Sequence, residues 1–97
     1  MASSKEYLDF VLEQLSTLPD ITYRAMMGEY IIYYRGKIIG GIYDNRFLVK
    51  PTKSAQKILP NAPMEIPYDG AKPMIMISDQ ENTELLNRLI PCVYSDL

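Results

Sequence analysis

The sequence predicts an α+β domain, a two-layer sandwich of helices on an antiparallel sheet in the order α-β-β-β(-β)-α-β-β-α. Three observations point there. Apolar residues recur at helical intervals near both ends, and residues 21 to 50 are rich in β-branched and aromatic side chains broken by turn dipeptides. A second, shorter pair of apolar stretches flanks Asp69-Gly70, and helices segregated around an antiparallel sheet are the usual arrangement for such a pattern. At 97 residues, 47% hydrophobic and 23% charged, the chain is expected to form a single domain over 1–97.

Ser3 and Glu6 have capping-box spacing ahead of Tyr7, Phe10, Val11, Leu15 and Leu18, which predicts a first helix from about Ser4 to Leu18, stopped by Pro19. Gly28, Arg35-Gly36 and Asp44-Asn45 then punctuate strands expected at Thr22–Met27, Glu29–Tyr34, Lys37–Tyr43 and Arg46–Lys50. Thr52 can cap a short helix through Leu59, ahead of a Pro60-Asn61-Ala62-Pro63 loop. Met64–Tyr68 and Lys72–Ser78 read as a strand pair, with Pro67 and Pro73 placing them at edges or irregular ends. Ser78-Asp79-Gln80-Glu81 repeats the capping-box pattern before a closing helix, about Asp79 to Tyr94, that Pro91 is expected to kink or end.

What is missing narrows the function. Without histidine the chain lacks the usual general base, the commonest metal ligand and any histidine pH switch. A lone Cys92 forms neither an internal disulfide nor a thiolate metal cage, and fits a reducing cytoplasm. No apolar run approaches the roughly 18 residues of a membrane helix, and the opening residues lack a signal-peptide core. A net charge of −2 disfavours direct nucleic-acid binding, although residues 21 to 50 carry five basic side chains, Arg24, Arg35, Lys37, Arg46 and Lys50, against two acidic ones. Those cations are expected near turns, as solvated strand ends.

The acids Glu29, Asp44 and Asp69, with Lys50 and Lys72, are the residues from which a catalytic pair could be drawn. Their spacing gathers none of them, and Asp44 and Asp69 suit turn geometry, so no catalytic residue, metal or cofactor is expected. Gly40-Gly41 lies inside a strand rather than at a helix start, which argues for a bulge, a tight crossing or an aromatic ring laid against the backbone, not for a phosphate loop. The most informative pattern is that Tyr30 to Tyr34 and Ile38 to Tyr43 put apolar or aromatic side chains on both faces of the pleat. Three helices leave a surplus of Tyr and Ile to meet the closing helix, a partner or a second subunit.

Arg24-Ala25-Met26-Met27-Gly28-Glu29-Tyr30, then Tyr33-Tyr34-Arg35-Gly36-Lys37, Gly40-Gly41-Ile42-Tyr43-Asp44-Asn45 and Phe47-Leu48-Val49-Lys50 together resemble the N-terminal domain of the TfoX/Sxy competence-regulator family. The likeness continues through Tyr68 and Lys72 to the closing helix, with Met27 where that family commonly has Phe and Glu29 where it commonly has a second Gly. Full-length members add a helical C-terminal domain; this chain resembles the first domain standing alone. The resemblance implies a bacterial, cytoplasmic, non-enzymatic domain that regulates transcription through protein contacts, alongside a cyclic-AMP receptor type regulator in full-length members. It implies turn-shaping roles for Gly28 and Gly36 and partner-facing roles for Arg24, Tyr30 and Lys50. The aromatic sheet adds Tyr33 and Tyr43 as candidate partner-binding residues and a homodimer as a candidate assembly. A small-ligand or anion-binding domain using Arg24 and Lys50 is the alternative.

Overall fold

A computed structural model describes residues 3–79 and 81–97. The helices are α1 (Lys5–Gln14), α2 (Lys53–Ile58) and α3 (Thr83–Ser95); the strands are β1 (Ile21–Met26), β2 (Glu29–Tyr34), β3 (Lys37–Ile42), β4 (Phe47–Val49), β5 (Met64–Glu65) and β6 (Met74–Met76). They form one antiparallel six-stranded sheet in the order β1-β2-β3-β4-β6-β5. The α+β class and the element order are those the sequence predicts.

The first four strands follow one another across the sheet because two-residue turns join them. Met27-Gly28, Arg35-Gly36 and Asp44-Asn45 each hold two successive residues at positive φ, the twist that lets a short turn continue into right-twisted strands. Gly28 and Gly36 supply that conformation without strain, at φ 85° and 83°. Asp44 and Asn45 are the side chains that best tolerate it.

Several boundaries move for identifiable reasons. The cap of α1 is Ser4, whose hydroxyl accepts from Tyr7 N, because Ser3 is engaged elsewhere; the helix stops at Gln14, and residues to Leu18 run on as tight turns. β1 starts and ends one residue early because Met27 belongs to the turn. Thr52 caps α2 as expected, accepting from Ala55 N at 3.3 Å. The cap of α3 is Asn82, accepting from Leu85 N at 3.0 Å, not Ser78; Gln80 of the expected capping box lies outside the described residues. Pro91 does not end α3, which runs on to Ser95 with Leu86, Leu89, Ile90 and Val93 buried against the sheet. A proline inside a helix costs about 3 kcal/mol or more, which four buried aliphatic side chains at about 1.5 to 3 kcal/mol each offset. β5 is an edge strand, but β6 is interior between β4 and β5, and Pro73 stands just before its ladder.

All three helices cover one face of the sheet. Leu8, Val11 and Leu15 of α1 and its end, Ala55 of α2 and the four α3 residues pack on Ile32, Tyr34, Ile39, Ile42, Phe47, Val49 and Ile75 as one core. Tyr94 of α3 meets Tyr34 edge-on, with ring centroids 5.3 Å apart. The register shift between Ile32 and Tyr33 leaves Ile39 as an extra residue in β3, a bulge that turns Ile39 into the core and Ile38 outward. Beside it Gly40 has no room for a side chain: a Cβ would stand 2.2 Å from Leu48 O and 2.8 Å from Val49 Cα. Among the described residues no helix is long and apolar enough to cross a membrane.

Candidate functional site

Strand pairing fixes what lies on the face the helices leave open. Arg24, Ile31, Gly41, Leu48 and Met76 oppose one another in one row across β1, β2, β3, β4 and β6. Ile31 and Leu48 are buried yet stand outside the core the helices share. Tyr33 pairs with Thr22 on one side and Ile38 on the other, on this same face. Residues 66–68 meet the sheet at one end, where Pro67 is buried and Tyr68 lies against Tyr43 with ring centroids 6.1 Å apart.

Between that segment and the β1–β2 turn lies a groove of about 650 Å³, lined by Met26, Met27, Ile31, Ile38, Tyr43, Pro67 and Tyr68 with Glu29 at one end. Its walls are apolar and open to solvent: Met26 is 48% exposed, Tyr68 63% and Met27 96%. Gly41 lets the Tyr43 ring that lines the groove lie against the strand, because a Cβ there would meet that ring at 2.6 Å. The ring against the backbone expected at Gly40-Gly41 is therefore Tyr43, and the bulge is present too. Burial, then the neighbouring Tyr68 and Glu29, hold the Tyr43 phenol above its ordinary pKa.

Glu29 is the residue that sequence reasoning undervalued. Its Oε1 accepts from Ser3 N at 2.8 Å and Ser3 Oγ at 2.6 Å, and its Oε2 from Asp44 N at 2.9 Å. Ser3 Oγ in turn accepts from Asn45 N, and Asn45 Oδ1 from Ser4 N. One carboxylate thus ties the N-terminal segment to the β1–β2 and β3–β4 turns. The glycine expected by resemblance at this position has no side chain to do so. A lone carboxylate opening a strand straight after a turn glycine was the available signal.

The other sequence-derived candidates divide. Arg24, Tyr33 and Tyr43 share the open face, whereas Tyr30 alternates to the helix side, where it packs on the core and meets Tyr23 edge-on at 5.9 Å. Arg24 is exposed within β1 rather than at a turn. Lys50 follows β4, three strand spacings from Arg24, roughly 14 Å in the pairing direction, so the two form no common cation cluster. Arg46 is engaged with Glu65 at 2.9 Å and with Tyr43 O. Among the described residues no group of three or more His, Cys, Asp or Glu side chains is placed to hold a metal.

A family profile decides the lineage: the TfoX N-terminal domain matches residues 13–83, most of the chain. This protein belongs to the TfoX N-terminal domain family. It is a regulatory family, and the match spans the sheet from β1 through β6 and the start of α3. Among curated proteins the chain is similar to an "Uncharacterized 12.7 kDa protein in trpE 5'region" of Spirochaeta aurantia, 36% identical over 72 residues. That alignment covers 74% of this chain and 63% of the relative, so the chain spans a little under two thirds of the relative's length. No solved structure matches the chain.

Proposed function

We propose that this domain is a non-catalytic, cytoplasmic regulatory module that works by docking a protein partner, a transcription regulator, in the open-face groove. The observation that carries the reading is that apolar groove, which the described residues leave open on the face opposite all three helices. Clustered exposed apolar side chains of this kind mark interaction surfaces, and flexible thioethers beside tyrosines suit a surface that adapts to another protein's side chains. Met27 supports it further: at φ 53° and 96% exposed among the described residues, it adopts a conformation unfavourable for its side chain and buries almost none of it in return. A residue that weakens the fold while presenting an apolar tip is expected where binding, not folding, uses it. Arg24, Tyr33 and Tyr43 supply polar contacts on the same face.

The test is co-purification from the native cytosol after nuclease treatment, comparing wild type with Ile38→Asp and Met27→Asp in the groove and Arg88→Glu on α3. The reading predicts a nuclease-resistant partner kept by wild type and Arg88→Glu and lost from both groove variants. A partner kept by folded groove variants, or lost on nuclease treatment, contradicts it.

A further inference from the structure

The two edges of the sheet differ in a way the groove does not explain. The β5 edge is blunt, two residues long between Pro63 and Pro67. The β1 edge is six residues, Ile-Thr-Tyr-Arg-Ala-Met, with Arg24 its one charge and without Pro, Lys or bulge, in continuous register with β2 and exposed from Thr22 onward. Edges of soluble proteins are normally guarded by just those devices, because free amides and carbonyls template another strand. In β1 the free groups can be assigned. The tight turn makes Met26 and Glu29 a hydrogen-bonded pair, and Arg35 N donates to Asp20 O at the other end, so Ile21, Tyr23 and Ala25 point their backbone groups away from β2.

We propose that β1 pairs antiparallel with β1 of a second copy about a two-fold axis at Thr22, joining two sheets into one of twelve strands. Charge and shape choose the copy and the register. An axis perpendicular to the sheet keeps equivalent faces together, so each residue meets one of its own alternation. Centred on Thr22, the seam sets Thr22 against Thr22 and Ile21 against Tyr23 twice, a hydroxyl pair and β-branched–aromatic pairs that stabilise across strands, and brings each Arg24 to the other copy's Asp20, which precedes β1 at φ 64° and shares its carboxylate with Arg35 at 3.7 Å. It also makes the outward-pointing Ile21 and Tyr23 the hydrogen-bonded pairs. Centred on Arg24, it would oppose two guanidinium groups; centred on Tyr23, it would set Asp20 against Met26.

A hollow of about 490 Å³ lies beside this edge on the helix side, lined by Leu12, Leu15, Leu18, Ile21 and Tyr23. Opposite Ile21, the other copy's Tyr23 ring, 43% exposed in the single chain, lies over that hollow. The seam runs beside the groove and leaves it open, so this pairing stands or falls independently of the docking reading. The four strand residues Ile21 to Arg24 and the flanking Asp20 make a small interface, and the expected dimer is weak and concentration-dependent.

The test uses solution mass by light scattering over micromolar to submillimolar concentrations, with oxidative cross-linking of Thr22→Cys and Ala25→Cys, each in a Cys92→Ser background. Cross-strand Thr22 sites of a non-hydrogen-bonded pair stand about 4.5 Å apart, within disulfide reach, whereas the Ala25 sites lie far apart on either side of the axis. The proposal predicts doubling of mass with concentration, cross-linking of Thr22→Cys at least tenfold faster than Ala25→Cys, and a monomeric Arg24→Glu variant. A wild type monomeric throughout overturns it. So does a dimer in which Thr22→Cys cross-links no faster than Ala25→Cys, which would place the dimer contact on another surface.

Discussion

Replacing Glu29 by alanine removes the acceptor for Ser3 Oγ and Asp44 N and one of the two acceptors of Ser3 N, which keeps Gly28 O at 3.0 Å. Hydrogen bonds to a charged acceptor contribute about 1.5 to 3 kcal/mol each when sheltered, and less when water can take the acceptor's place. Ser3 is 8% exposed, so its hydroxyl loses an acceptor it cannot readily replace, whereas the Asp44 amide is exposed and rehydrates. The three bonds also act on one another's geometry and do not add, so the expected loss is about 2 kcal/mol. Against the roughly 5 to 15 kcal/mol total of a small domain, that lowers the melting temperature by about 8 to 16 °C. Glu29→Gln keeps one carbonyl acceptor for Ser3 but turns an amide donor toward Asp44 N, and should lose about half as much. Urea unfolding followed by circular dichroism measures both, with an unchanged m-value showing that the unfolded state is unaltered. A Glu29→Ala midpoint equivalent to less than about 0.5 kcal/mol of change would refute the tie between N-terminus and turns.

Further outcomes follow from the same geometry. Gly40→Ala should cost more than about 3 kcal/mol, because its Cβ meets backbone atoms that cannot swing aside, while Gly36→Ala, with open space but φ +83°, should cost about 1 kcal/mol; chemical denaturation distinguishes them. Met27→Asn should raise stability by roughly 0.5 to 1 kcal/mol by relieving the left-handed conformation, and should weaken partner capture in the co-purification assay. Asp96 accepts from Ser54 N at 2.8 Å and from Ser54 Oγ at 3.1 Å, bonds that hold its carboxyl below the usual aspartate pKa. Its contribution is therefore present above an ordinary value of about 4 and is lost as pH falls through the lower folded value. Asp96→Asn should flatten stability against pH in that acid range, and parallel wild-type and variant curves would contradict this.

The sheet was legible because its signals are local. Turn dipeptides and β-branched runs place β2 without error and its neighbours to within a residue, and the surplus of apolar side chains on both faces anticipates an uncovered one. What sequence could not show is which face a residue reaches after a bulge. Ile39 turns inward and Ile38 outward only because of the register shift at Tyr33. Helix starts failed where two capping residues competed: Ser3 was claimed by Glu29, leaving Ser4 to cap α1, and Asn82 displaced Ser78 at α3. Tyr30 and Lys50 were singled out by resemblance, but alternation and strand order put one on the helix side and the other far from Arg24. Glu29 was visible only as an isolated acid, since its two partner residues, Ser3 and Asp44, come from segments that only the fold assembles.

The proposed docking groove is the centre of this account, and Ile38→Asp tests it most directly, because Ile38 is 37% exposed and its loss disturbs no helix-facing packing. Nuclease-treated co-purification, run beside a thermal melt, should show a variant that melts close to wild type and no longer retains the partner. A variant of unchanged stability that keeps the partner in full would contradict the groove as the site of regulation.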